Sequence, residues 1–306
     1  MTYAVLFSGQ GTQHPQMLPW LDGVEAAQPV LACLAQRIGG DWRALLAADA
    51  CRASNALAQP VIVGTALAAW AALRELVPDD PEVVAGYSVG EVAALAAAGA
   101  YAPQQALALA AQRACLMDGA VAGTDTGLLA ISAVAEAEVL AACPDLECAI
   151  RIDPDHNIFG GSRIALEQAQ LDLQNRARFK RICVALASHT SWMRSAAERF
   201  LPSVEGVRPR APSCPVALNA LGTTSRSAPV LGSALAAQLA QCVQWGGAWP
   251  RSRKGGLRAS SRSAAAMHWH ACGPSGIPRC RRVRSTSFAV PKAPRPGSIG
   301  KGECWP

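Results

Sequence analysis

The sequence predicts an α/β fold, in which a parallel sheet covered by helices carries an inserted ferredoxin-like subdomain. Three observations predict it. Short apolar runs alternate with helical periodicity over the first 120 residues or so. A Gly-Tyr-Ser-Val-Gly pentapeptide, Gly86 to Gly90, stands where one apolar run meets an Ala-rich helix. From about residue 126 to 187 the rhythm becomes strand, helix, strand, strand, helix, strand.

The elements follow in order. "YAVLF", residues 3–7, is a short buried strand, and the loop "FSGQGTQ" follows it. "GVEAAQPVLACLAQRI" (23–38) and "PVIVGTALAAWAALRELV" (60–77) have helical spacing, the second opened by Pro60. "EVVAGYS" (82–88) reads as strand and "GEVAALAAAGA" as helix, and Pro103 opens a helix over 103–120. Such alternation argues for a parallel sheet buried on both faces. In the insert, "GLLAISAV", "ECAIRID", "HNIFGGS" and "FKRICVALA" read as strands, with helices after the first and third. Helices resume at Trp192, "CPVALNA" is a strand, and "GSALAAQLAQCVQW" is a helix. The expected division is a core of residues 1–125 and 188–245, a subdomain of 126–187, and a tail of 246–306.

Composition narrows the classes. The chain is 51% hydrophobic, which makes it globular rather than disordered. Its longest apolar stretches read as too short to cross a bilayer, and no basic region precedes the first strand, so a cytoplasmic protein is expected. Eleven cysteines occur without a CxxC pair, which favours buried thiols over disulfides or zinc ligands. The net charge of +6 is an average of two unlike parts. Residues 246–306 hold twelve Lys/Arg and one acid, whereas the body holds 16 basic and 21 acidic groups. The tail has no sustained period. It reads either as a disordered basic segment able to bind polyanions or as a shifted reading frame. Its "HWHAC" is a weak metal signal, since two histidines and one cysteine lack further ligands.

A serine between two glycines at a strand-to-helix join has the context of a nucleophile elbow, the mark of a hydrolase-like core. The turn would lift the Ser88 hydroxyl to a helix N-terminus, where N–H groups favour developing negative charge. A plain Gly-rich turn with Ser88 as a cap is the alternative. The nucleophile needs a base. Of the histidines before the tail, His14 precedes a proline, His156 lies in a turn, and His189 directly follows an apolar strand and is best placed. Gln10, between two glycines, could offer an amide to an oxyanion. Arg113 is a cation within an apolar helix, either paired or solvated, or a clamp for a substrate carboxylate.

"FSGQGTQ", "GYSVGE", "QRACLM" and "ASHTSWM" stand in the order and at about the spacing of malonyl-CoA:acyl-carrier-protein transacylases, a family that residues 3–245 resemble. The second elbow position there is usually histidine. Tyr87 is more similar to the acyltransferase subunit of malonate decarboxylase. The resemblance implies that Ser88 takes a malonyl group from malonyl-CoA with His189 as general base. It implies an oxyanion held by the backbone N–H groups of Val89 and Gln10, and Arg113 on the free carboxylate. The acyl group would pass to a phosphopantetheine-type thiol of an acyl carrier protein, with no bound cofactor or metal and possible further decarboxylase subunits as partners. Two departures stand out. Arg151, Ile152 and Asp153 occupy the strand where the family places asparagine. The family's further helix, strand and Gly-Pro-Gly loop, with a carbonyl that orients the histidine, do not follow Trp245. If the tail is translated in this frame, the expectation is a missing orienter for His189, a missing sheet strand, low stability and little activity. A serine esterase and an inactive remnant with a basic binding tail are the rival readings.

Overall fold

The computed structural model describes residues 3–11, 13–49, 54–77 and 79–247. The tail beyond Gly247, with its two readings and "HWHAC", lies outside the described residues.

The large sheet starts with β1 (Ala4–Phe7) and β2 (Val83–Gly86), four-residue runs buried along their whole length. They pair in parallel, Ala4 opposite Val83 and Phe7 opposite Gly86. β7 (Val216–Leu218) lies parallel on the other side of β2, and β8 (Thr223–Ser225) closes back antiparallel on β7. The resulting order is β1-β2-β7-β8. Parallel strands buried on both faces need helices as crossovers, and the apolar helices supply them.

Those helices are α1 (Gln28–Ile38), α2 (Trp42–Ala47), α3 (Asn55–Leu76), α4 (Gly90–Ala97) and α5 (Pro103–Ala120). Two 3-10 turns, Leu21–Gly23 and Glu25–Ala27, precede α1, so the predicted helix from residue 23 begins at Gln28. α3 begins five residues before the expected Pro60, at Asn55 after Ser54. Pro60 sits near enough to the helix start that its ring and missing N–H interrupt only the first turns. By length and composition α3 could cross a membrane, which the sequence reading had denied to its apolar run. Within the fold, however, 72% of its apolar window is buried. It packs in the main core with Leu34 of α1 and Leu107 and Leu109 of α5.

The second sheet has the order β6-β3-β5-β4-β9. β3 (Thr126–Ser132), β4 (Glu147–Asp153), β5 (His156–Ser162) and β6 (Arg178–Ile182) are antiparallel neighbours. α6 (Glu136–Ala142) and α7 (Arg163–Asp172) complete the β-α-β-β-α-β series. Leu129, Ile131, Phe159, Val139 and Leu166 form its own core. This is a ferredoxin-like subdomain inserted into an α/β core.

Two predicted elements end differently. The strand expected through Ala187 stops at Ile182, opposite Leu128 of β3, and the chain then crosses to the large core, where Leu186 is buried and Val184 packs against it. The helix expected through Trp245 is α9 (Ala228–Ala237), which ends before β9 (Val243–Gln244). β9 pairs in parallel with β4, Val243 opposite Ile150. Val243 is fully buried there, and that burial outweighs helical continuation. α8 (Arg194–Val207) links the crossover to β7.

The backbone crossing between β2 and α4 leaves no room for side chains. A Cβ on Gly86 would lie 2.0 Å from the carbonyl carbon of Gly90, and one on Gly90 would lie 2.5 Å from the carbonyl oxygen of Phe7. Gly86→Ala is expected to lower the free energy of unfolding in a urea melt by about 3–5 kcal/mol. Gly119→Ala, in a helix where a Cβ meets nothing within 4 Å, is expected to hold or raise it. Equal effects of the two would refute this account of the crossing.

Candidate active site

Ser88 follows β2 and precedes α4 with φ of 54°, in the left-handed region that a non-glycine residue occupies at a cost. The surroundings hold it there. Its N–H donates to Asn219 Oδ1 at 2.9 Å, and Asn219 Nδ2 donates to the Gly86 carbonyl at 2.7 Å. Asn219, just past β7, thus fastens both sides of the turn. The Tyr87 N–H donates to the Phe7 carbonyl at 3.0 Å and ties the turn to β1.

His189 also has a positive φ, 64°, and is 1% exposed. Its Nε2 lies 2.8 Å from Ser88 Oγ, and its Nδ1 lies 2.6 Å from the Gln238 carbonyl. A carbonyl only accepts, so Nδ1 carries the hydrogen and Nε2 faces the hydroxyl as an acceptor. Its N–H donates to the Leu239 carbonyl at 2.8 Å. Burial, and then the charge of Arg113, push the imidazole down to about 3, so it is neutral near pH 7. The expected lack of an orienter is therefore wrong. Gln238 caps the C-terminus of α9, where carbonyls lack intrahelical partners, and one of them is available to the histidine. His189 itself sits in the crossover beyond β6, not directly on a strand.

Arg113 projects from α5 and is 1% exposed. Its Nη1 donates to Gln59 Oε1 at 2.8 Å, and its Nη2 donates to Gln238 Oε1 at 3.0 Å and reaches Ser88 Oγ at 3.4 Å. Its Nε is buried without a hydrogen-bond partner. Glu91, fully buried on α4, supplies the opposing charge through an intermediary. Gln238 Nε2 donates to Glu91 Oε2 at 3.0 Å, and the Asn219 N–H donates there at 2.8 Å. Desolvation pushes the Glu91 carboxyl up to about 7 against these donors and Arg113, and it lowers Arg113 to about 10.

The loop carrying Gln10 lies against the elbow. A Cβ on Gly9 would fall 2.6 Å from the Tyr87 carbonyl oxygen. The Gln10 side chain turns away, donating to Asn55 Oδ1 at 2.7 Å, and Asn55 donates to Asp118 Oδ1 at 2.6 Å. Val89, next to Ser88, is buried at the start of α4. The structure thus brings Ser88, His189 and Arg113 together, with Val89 and the Gln10 loop beside them. His14 and His156 stay elsewhere, His156 pairing with Ser132 and Asp153. Sequence reasoning missed Gln59, Glu91, Asn219 and Gln238. A signal was present, because Gln59 and Gln238 are polar residues within largely apolar helical runs, the pattern that drew attention to Arg113. Among the described residues no group of three or more His, Cys, Asp or Glu could hold a metal.

The profile described as Acyl transferase domain matches residues 4–251. The chain belongs to the acyl transferase domain family. It is 33% identical over 257 residues to the malonyl CoA-acyl carrier protein transacylase of Mycobacterium tuberculosis, covering 79% of this chain and 82% of that one. The enzyme of the same name from Haemophilus influenzae is 28% identical with the same coverages. Among solved structures, the malonyl CoA-acyl carrier protein transacylase of Coxiella burnetii superposes with a TM-score of 0.74 at 27% identity, covering 80% of this chain and 81% of that chain. A malonyl-transacylase solved in complex with a type II acyl-carrier protein gives 0.74 at 26% identity, with coverages of 80% and 83%. The four sequence motifs pointed to this family.

The two shifted groups act oppositely on stability. His189, depressed from 6.5, contributes fully above pH 6.5 and loses that contribution as pH falls toward 3. Glu91, raised from 4.5 to about 7, contributes fully below 4.5 and loses it as pH rises through 7. Glu91→Gln keeps an acceptor for Asn219 and Gln238 without the ionisation. Its unfolding free energy relative to wild type is expected to improve by about 1–3 kcal/mol between pH 5 and pH 8. A difference that is flat across paired urea melts would show that Glu91 does not titrate in this range.

Proposed function

We propose that the chain transfers a malonyl group from malonyl-CoA to the phosphopantetheine-type thiol of an acyl carrier protein, through a malonyl ester on Ser88. One observation carries the reading: Ser88 Oγ lies 2.8 Å from a neutral, oriented histidine and 3.4 Å from a buried arginine with an unpartnered Nε. As Ser88 Oγ bonds to the thioester carbon, its proton passes to His189 Nε2. The carbonyl oxygen becomes an oxyanion received by the N–H groups of Val89 and Gln10. The C–S bond then breaks, and His189 returns the proton to the coenzyme A sulfur. The carrier thiol reverses these steps.

Arg113 receives the malonyl carboxylate. Leaving such a buried cation unpaired costs about 3–5 kcal/mol, which disfavours an acyl group lacking the carboxylate. The same feature argues against an esterase of neutral substrates, as does a carbonyl, rather than a carboxylate, on His189 Nδ1. The names of the relatives favour the same substrate pair. We place the reaction in the cytoplasm and assign it to a core of residues 1–125 and 188–245, with 126–187 as the subdomain. Tyr87, where the resemblance expects histidine, favours a place in malonate decarboxylation. A carrier bearing a dephospho-CoA-derived group, with the other subunits of such an enzyme as partners, would then replace the fatty-acid carrier. Initial rates with the two carriers distinguish these.

Brief exposure to malonyl-CoA is expected to add one malonyl group to the wild-type intact mass and none to Ser88→Ala. A folded wild type that gains no mass would end this reading. Arg113→Gln is expected to lower the ratio of malonyl to acetyl acylation rates by about 100-fold or more, as an energy of this size requires. An unchanged ratio would remove Arg113 from carboxylate recognition.

A further inference from the structure

A second chemical feature lies where the small sheet meets the segment that anchors His189. Cys148 on β4 and Cys242, immediately before β9, are both half-buried free thiols. Their sulfurs are 3.6 Å apart in S–H···S contact. Closing to the roughly 2.05 Å of a disulfide needs an approach of only about 1.5 Å. The strands that carry them already pair, Ile150 opposite Val243. Beside them Arg151 donates to Gln244 Oε1 at 2.9 Å and binds Glu136. The contact with Cys148 and the charge of Arg151 lower the Cys242 thiol, whereas Cys148 is raised, chiefly by that same contact. The two thiols therefore differ in character, Cys242 as the attacking sulfur and Cys148 as the resolving one.

We propose that Cys148 and Cys242 form a redox-modification site whose disulfide clamps β4 to the α9–β9 segment and slows the transfer carried out at Ser88. The oxidant is a hydroperoxide. The Cys242 thiolate attacks its O–O bond, forming a sulfenic acid and releasing an alcohol, or water when the oxidant is hydrogen peroxide. The Cys148 sulfur then displaces hydroxide from that sulfenic acid. Its own proton goes to the hydroxide, and the products are the disulfide and water. Two thiols have lost two electrons to the peroxide. Cys242 is four residues from Gln238 and three from Leu239, whose carbonyls hold His189 Nδ1 and N–H. Drawing Cys242 toward β4 shifts those anchors, and displacements on the order of 1 Å at a base cost about 100-fold in rate. The effect on rate rests on the proposed transfer function, but the formation of the disulfide does not.

The test treats the full-length protein with a small excess of hydrogen peroxide and maps peptides without reduction. A Cys148–Cys242 cross-linked peptide, two hydrogens lighter than the sum of its thiol parts, is expected. Malonyl transfer is expected to fall about fivefold or more and to recover with dithiothreitol. Cys242→Ser is expected to keep its untreated activity and resist the peroxide. Oxidation of other cysteines with no Cys148–Cys242 peptide would overturn the site. A complete cross-link with unchanged transfer, or a Cys242→Ser protein as sensitive as wild type, would overturn the coupling. Untreated protein that never forms malonyl-Ser88 would instead count against the transfer function, and the peptide map would still decide the modification site.

Discussion

Gln238 touches every charged or reactive group of the site. Its main-chain carbonyl accepts from His189, its side-chain oxygen accepts from Arg113, and its Nε2 donates to Glu91 and to the Ser88 carbonyl at 3.0 Å. An amide can do this because it is donor and acceptor at once and carries no charge. A carboxylate in its place would pair directly with Arg113 and neutralise it. An ammonium would repel it. The amide spreads the charge separation between Arg113 and Glu91 over hydrogen bonds and leaves the guanidinium short of a full partner.

Such an arrangement is costly to hold. Two buried ionisable side chains resist desolvation, and two non-glycine residues sit in left-handed backbone. The compensation lies in the packing and hydrogen bonding around them. Asn219 fastens the elbow from β7, the parallel pairing of β1 and β2 fixes its entry, and the Leu239 carbonyl holds the His189 backbone. Ser88, His189 and Arg113 thereby meet in a fixed, water-poor arrangement, which is of most use to charge development.

Much of this was legible in the sequence. The elbow was, because Gly86 and Gly90 report a backbone crossing that only hydrogen side chains permit. The helix over Pro103–Ala120 was, because proline marks its start and apolar spacing continues to its end. The β-α-β-β-α-β series was, because each strand is a short apolar run bounded by a turn or a helix. What was not legible depends on tertiary partners. The stop of β6 at Ile182 follows from the burial of Leu186 in the main core, and β9 exists because β4 offers an open edge. Gln238 looked like an incidental polar residue in an apolar helix. Its role follows from the end of that helix reaching His189, 49 positions earlier in the chain, which no local pattern encodes.

That last contact changes what the end of the chain means. The resemblance placed the orienting carbonyl beyond Trp245, so an altered sequence there seemed to remove part of the catalytic machinery. Among the described residues, every group that hydrogen-bonds to Ser88, His189 or Arg113 lies at or before Leu239. Trp245 turns back onto the elbow itself, its ring edge-on to Tyr87 with centroids 4.9 Å apart. The constellation is therefore built from the part of the chain that matches the family in sequence.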